Sequence, residues 1–221
     1  MFRKLVFLVL LGGIVSCSGG EEGGAADEKE GAVEISPSPS EANLEMVENK
    51  DDYGYTEHYY RRRTDFAKEG TYTRVNESGK VVEKAEYTND SLNGIRVIFF
   101  ESGDTQYVER YKMGVFIGPY KAYYQNGQLA QEGQYIDNAM QGMWIKYYDT
   151  GELMEEVTFV DNEENGPFRE YHKNGKLKTE GAYRNGDNEE GPLKIYDEAG
   201  ELIKEMDCKY GICKTVWEKK K

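Results

Sequence analysis

The stretch Gly142-Met-Trp-Ile-Lys-Tyr-Tyr-Asp-Thr-Gly151-Glu-Leu-Met-Glu-Glu-Val-Thr-Phe159 decides the fold, because its neighbours on both sides repeat it. A leading glycine recurs at Gly70, Gly94, Gly118, Gly142, Gly166 and Gly191, in four steps of 24 residues and one of 25. A second glycine follows nine residues later each time from Gly79 onward, at Gly103, Gly127, Gly151, Gly175 and Gly200. A fixed period in this range marks a repeat architecture. Columns are numbered below with the leading glycine as zero.

Each unit reads as two short strands around a tight turn. Asn126-Gly127 and Asn174-Gly175 carry the strongest hairpin signal, because a type I′ turn needs positive φ at both central residues. Ser102-Gly103, Thr150-Gly151 and Ala199-Gly200 hold the same place. Counting outward from a two-residue turn pairs +6 with +11, +3 with +14 and +2 with +15. At +3/+14 this opposes Lys121 to Glu132, Arg169 to Glu180 and Lys194 to Glu205. At +2/+15 a large residue meets a small one, as in Tyr120/Gly133 and Phe168/Gly181, and Arg96 meets Glu109. Matched pairs of this kind are what cross-strand stabilisation requires. Ile145/Glu156 and Thr73/Lys84 do not fit.

This counting predicts a core face carrying +2, +6, +11 and +17. The +11 column holds Val81, Thr105, Leu129, Leu153, Leu177 and Leu202; the +17 column holds Tyr87, Tyr111, Tyr135, Phe159, Tyr183 and Cys208. The charged pairs and the +5 column, Phe99, Tyr123, Tyr147, Tyr171 and Tyr196, fall on the other face, away from the leucines. The +5 residues are the candidate partner-binding ladder, since tyrosine combines a large contact area with a polar tip.

At 221 residues and a net charge of −13 the chain is acidic, which argues against a nucleic-acid partner. Residues 1–16 read as a signal peptide: Arg3 and Lys4 precede a short apolar run that ends in Ile14-Val15-Ser16-Cys17. This resembles the bacterial lipoprotein signal, which implies Cys17 as the lipidated N-terminus, and Ser18 after it implies outer-membrane sorting in the cell envelope. Residues 17–52 read as a disordered linker, with eleven acidic residues against two lysines between Ser18 and Asp52. Residues 53–69 lack the glycine landmarks and read as an N-terminal cap, a degenerate strand or short helix. The repeats then run over 70–208, and 209–221 form a C-terminal cap and basic tail.

The recurring pattern Gly-x-Trp/Phe/Tyr-x-x-Tyr-Tyr-x-x-Gly-x-Leu-x-x-Glu-x-x-Tyr resembles the bacterial variant of the MORN repeat, many members of which are named as antitoxins of the YwqK type. The resemblance covers about Gly70 to Cys208 and is closest from Gly118 to Tyr183. The unit at Gly70 departs from it with Val75-Asn76, and the unit at Gly94 with Arg96 and Thr105. It implies a β-hairpin meander with interaction roles and no catalytic residues.

No nucleophile motif, phosphate loop or metalloprotease signature is present, so no catalytic residue, metal site or cofactor is assigned. Of the two histidines, His172 sits in the +6 column among Phe100, Tyr124, Tyr148 and Asp197 and reads as an aromatic substitute. Asp137-Asn138 and Asp161-Asn162 read as turns between hairpins rather than calcium loops. For Cys208 and Cys213 the sequence allows a disulfide, two free thiols or a two-cysteine metal site; an oxidising envelope favours the first. The expected fold is all-β: six hairpins side by side in one elongated, twisted single-layer sheet. The expected function is a non-catalytic, lipid-anchored envelope protein that offers a repeat surface to a protein partner. A glycan- or peptidoglycan-binding module and an antitoxin or immunity protein are the alternatives.

Overall fold

The computed structural model describes residues 43–220; Cys17, the signal segment and most of the acidic linker lie outside them. The described chain is an antiparallel meander of β1 (Leu44–Lys50), β2 (Thr56–Arg62), β3 (Lys68–Val75), β4 (Val81–Thr88), β5 (Ser91–Leu92), β6 (Gly94–Phe99), β7 (Thr105–Lys112), β8 (Val115–Phe116), β9 (Gly118–Tyr123), β10 (Leu129–Ile136), β11 (Ala139–Tyr147), β12 (Leu153–Val160), β13 (Glu163–Tyr171), β14 (Leu177–Tyr183), β15 (Gly191–Tyr196), β16 (Leu202–Lys209) and β17 (Ile212–Glu218). All 17 strands belong to one open sheet, and each pairs with its neighbours in the chain. β5 with β6, and β8 with β9, are each one strand interrupted by a single residue, Asn93 or Ile117.

Two domain boundaries move. The segment read as linker ends earlier, because Leu44–Lys50 pairs residue for residue with Thr56–Arg62. Its Leu44 and Val47 are half-buried, which the acid-rich composition around them hides. The cap is therefore a β-hairpin with no helix, and its arginines are paired internally: Arg61 with Glu45 at 2.7 Å and Arg62 with Asp65 at 2.8 Å. At the other end the basic tail contributes β17, which continues the meander past the last repeat.

The hairpin turns differ from the expected type I′. Positive φ falls on the glycine alone, 82° at Gly127 and 78° at Gly175, and the preceding Asn126 and Asn174 stay at negative φ. The Gly127 N–H donates to Tyr124 O and the Tyr124 N–H to Gln128 O, both at 2.9 Å. This is a type I turn closed by a left-handed glycine. The asparagine serves it differently from the expectation: Asn126 Oδ1 accepts the Gln128 N–H at 3.0 Å. True type I′ turns occur at the opposite edge, where both Asp137 and Asn138, and both Asp161 and Asn162, have positive φ.

The longer loop has a consequence for the register. Tyr123 pairs with Leu129, whereas Lys121 pairs with Glu132, so Ala130 is an extra residue. The same bulge at +12 recurs at Val82, Gln106, Met154, Lys178 and Ile203. The outer pairs +3/+14 and +2/+15 stand as counted, but +11 opposes +5 instead of +6. One extra residue reverses which face every residue beyond it points to. The leucine column therefore leaves the expected core face and joins the +5 aromatics on the opposite one.

The buried face is built from +2, +15 and +17. Tyr72, Ala85, Ala122, Trp144, Val157, Phe168, Leu193 and Cys208 are its most enclosed residues. Large +2 rings form ridges and the small +15 residues are the valleys between them. Trp144 is packed edge-on against Tyr135 at 5.2 Å and leans towards Tyr120 at 5.5 Å; Phe168 stacks on Tyr183 at 4.2 Å. A Cβ on Gly133 would lie 2.2 Å from Trp144 Cδ2, so the small residue is a matter of space. At Gly142 the space is open but φ is 72°, so there glycine answers a backbone demand. That demand arises where Gly133 alone faces the three residues 142–144 between the pairs Glu132↔Ile145 and Gln134↔Gln141. The +2 column departs from rings at Leu193, which is apolar, and at Arg96, whose guanidinium bonds Glu83 at 2.7 Å and Glu109 at 3.1 Å. Burial opposes its charge, but those two carboxylates outweigh it and hold its pKa up.

Candidate functional site: the charged face

The opposite face carries one continuous cross-strand row. It runs from Thr73 through Lys84, Val97, Val108, Lys121, Glu132, Ile145, Glu156, Arg169, Glu180 and Lys194 to Glu205 and Trp217. The row explains the Ile145/Glu156 misfit. Glu156 finds its cation on the other side, in Arg169 at 3.9 Å, and Arg169 in turn reaches Glu180 at 4.0 Å. Glu180 also faces Lys194 at 3.7 Å. The charges thus alternate along the row from Glu156 to Glu205. Thr73/Lys84 remains a misfit without a structural explanation.

The +5 column stands beside this row. Tyr147 opposes Leu153, Tyr171 opposes Leu177 and Tyr196 opposes Leu202, so ring and leucine cover each other and both are half-buried. Each hydroxyl donates to the +14 carboxylate of the preceding repeat: Tyr147 to Glu132 at 2.8 Å, Tyr171 to Glu156 at 2.7 Å and Tyr196 to Glu180 at 2.8 Å. Burial, followed by that hydrogen bond, pushes each of the three phenols up to about 12. Phe99 has no hydroxyl, and the +14 residue before Tyr123 is Val108, so the hydroxyl ladder spans the last three rungs. Three of the five ladder residues therefore make the same kind of hydrogen bond, while the other two contribute rings only.

What projects furthest from this face is the row of cations. Arg169 is 54% exposed and Lys121 45%, both at distances near 4 Å from their partners. Pairs that loose and wet contribute little to folding, so their charges remain available to a ligand. Sequence reasoning missed the glutamates as tyrosine acceptors. The signal was present in the spacing, because Glu132, Glu156 and Glu180 precede their tyrosines by 15, 15 and 16 residues.

The +6 column sits in the turns and ties repeats together. Tyr124 Oη donates to Tyr147 O at 2.8 Å and Tyr148 Oη to Tyr171 O at 2.7 Å. His172 takes the same place, its Nε2 3.0 Å from Tyr196 O. A carbonyl only accepts, so that nitrogen carries the proton. Asn126 and Asn174 add side-chain bonds to Asp149 O and Glu198 O of the next turn. At the C-terminal end Cys208 and Cys213 stand directly opposite each other, Cα atoms 4.0 Å apart, joined as a disulfide across β16 and β17. Among the described residues no group of three His, Cys, Asp or Glu side chains is arranged to hold a metal ion.

Comparison with known families places four segments, residues 68–89, 117–137, 140–161 and 164–185, in the MORN repeat variant. The unit at Gly70 is matched despite its Val75-Asn76, whereas those at Gly94 and Gly191 fall outside the matched residues. MORN repeats are commonly protein- or membrane-interaction modules. No curated protein matches the chain.

Proposed function

We propose that the chain is a non-catalytic, lipid-anchored envelope protein whose charged face binds a protein partner. The observation that carries this reading is the exposed row of alternating charge from Glu156 to Glu205, held in place by the tyrosine–glutamate bonds beside it. A rigid backing with loosely engaged ends suits recognition of a complementary charged surface, where specificity comes from matching signs. Three of the four ladder phenols are bonded within the sheet, which disfavours the glycan reading, since a sugar platform needs free polar edges around its rings. A toxin acting in the envelope is one partner such a face suits.

The test is capture of a partner from the organism's own envelope by the mature chain. Replacing Lys121, Arg169 and Lys194 by alanine together is expected to abolish capture while leaving the melting temperature within a few degrees, about what loss of weak surface pairs allows. Undiminished capture by that variant refutes the assignment of the face. The anchor is tested separately: Cys17→Ala is expected to leave the chain unprocessed or soluble, and normal maturation with membrane retention would remove the lipoprotein reading.

A further inference from the structure

The two ends of the sheet are finished differently from its middle. Among the described residues, β1 is paired on one side only, with β2, and β17 on one side only, with β16. Each edge leaves a row of backbone N–H and C=O groups without a strand partner, a template for another chain. Both also expose large apolar side chains: Met46 is 64% exposed on β1, while Tyr210 is 63% and Ile212 70% exposed at and before the start of β17.

We propose that these two edges are made for each other and that a second copy of the chain docks head to tail, its β1 lying parallel to β17. The strand count sets the direction. With β5–β6 and β8–β9 each counted as one strand, every pairing is antiparallel and an even number of reversals separates β1 from β17, so the two run the same way. A copy translated along the sheet therefore presents β1 parallel to β17 with its faces in the same sense.

The faces then fix the register to even offsets. Met46 and Glu48 lie on the charged face, since Glu48 opposes His58 and His58 opposes Thr73. Lys214 and Ile212 lie on that face too, because Cys213 between them opposes the buried-face Cys208. One even offset sets Tyr210 beside Leu44, Ile212 beside Met46 and Lys214 beside Glu48, with Cys213 beside Val47 on the other face. Glu48 is exposed enough to take this role: its side chain is 66% exposed and lies 3.8 Å from His58 Nδ1. The extra residue between Met206↔Thr215 and Glu205↔Trp217 ends the usable edge beyond Thr215.

Charge argues against the alternatives within the same edges. The β17 edge with its flank (Lys214, Glu218, Lys219, Lys220) is net basic and β1 (Glu45, Glu48, Lys50) is net acidic, so pairing either edge with its own copy gathers like net charge at one seam. The unlike pairing brings opposite net charges together. Being heterologous, and repeated by translation along the sheet, it continues into an open fibre. The two edges lie at the ends of the sheet, apart from the partner-binding face.

The experiment is sedimentation velocity on the full chain at rising concentration, with Lys214→Glu, Glu48→Lys and the variant carrying both. A series growing past the dimer is expected. Each single reversal is expected to weaken association about tenfold in Kd, and the double variant to recover most of the loss. Circular dichroism checks that the sheet is intact in all three, which exposed positions should permit. A monomer at every concentration, a closed dimer indifferent to Glu48→Lys, or association only with anionic vesicles overturns the proposal.

Discussion

The two faces of this sheet are held by different physics. On one, Trp144, Phe168 and Tyr72 pack against rings and small residues, and the fit is steric. On the other, half-buried tyrosines are fixed by hydrogen bonds to glutamates, and exposed cations complete a row of opposite charge. The difference teaches where a single-layer sheet keeps its stability and where it can keep its surface for a ligand. The steric face tolerates no change in volume. The polar face tolerates changes in charge, because each pair there contributes little.

Three measurements would break or sharpen that contrast. The largest effect is expected at Trp144→Ala, about 3–5 kcal/mol by denaturant unfolding, from lost burial and an unfilled gap. Gly133→Ala works from the other side of the same contact and is expected to cost about 1–3 kcal/mol by forcing the indole away. A smaller loss at both positions than at Tyr147 would reverse the assignment of the core.

The next effect belongs to the phenols. Below pH 10 tyrosine is protonated in both folded and unfolded chains, so the full contribution is present. Between 10 and about 12 the unfolded chain releases the proton while the folded Tyr147, Tyr171 and Tyr196 retain it. Stability is therefore lost as the pH rises through that window. Tyr147→Phe is expected to make this slope shallower and to cost about 0.5–1.5 kcal/mol at neutral pH. Phenol absorbance titrating at the ordinary value in the folded protein would remove the hydroxyl–carboxylate bond.

The smallest effect is expected at Arg169→Glu, a few tenths to about 1 kcal/mol. Adding Glu180→Arg should restore only part of it, because the new glutamate still faces Glu156. Full restoration would mean that the row acts as isolated pairs.

How far the sequence could be read follows from which features leave a chemical mark. The period, the strand pairs and the outer register were legible because Lys121/Glu132 and Arg169/Glu180 oppose charge, and Tyr120/Gly133 opposes size. The bulge was not, because Val82, Gln106, Ala130, Met154, Lys178 and Ile203 share no chemistry. The turn type was misread for a related reason. Asn-Gly serves a type I′ turn and a type I turn closed by a left-handed glycine equally well, and only the loop length separates them. That single residue moved the leucine column to the other face, which is why the tyrosine ladder was placed away from leucines that it directly opposes. The first strand was obscured by composition: Leu44–Lys50 is acidic enough to pass for linker, and its pairing with Thr56–Arg62 rests on neighbours no local window contains.

The +6 bonds, in which Tyr124, Tyr148 and His172 each hold the strand of the following repeat, have a bearing on how the chain reaches its native state. Every one spans 23 or 24 residues, so closing each contact requires only the next hairpin to be present. Loop-closure entropy is then met in small equal instalments instead of one large step. A chain of this kind can begin folding at any hairpin and extend in either direction, at a rate governed by neighbours rather than by its full length. It can therefore acquire structure in order of delivery, each new hairpin docking on the last, with the Cys208–Cys213 bridge forming when the final strand arrives.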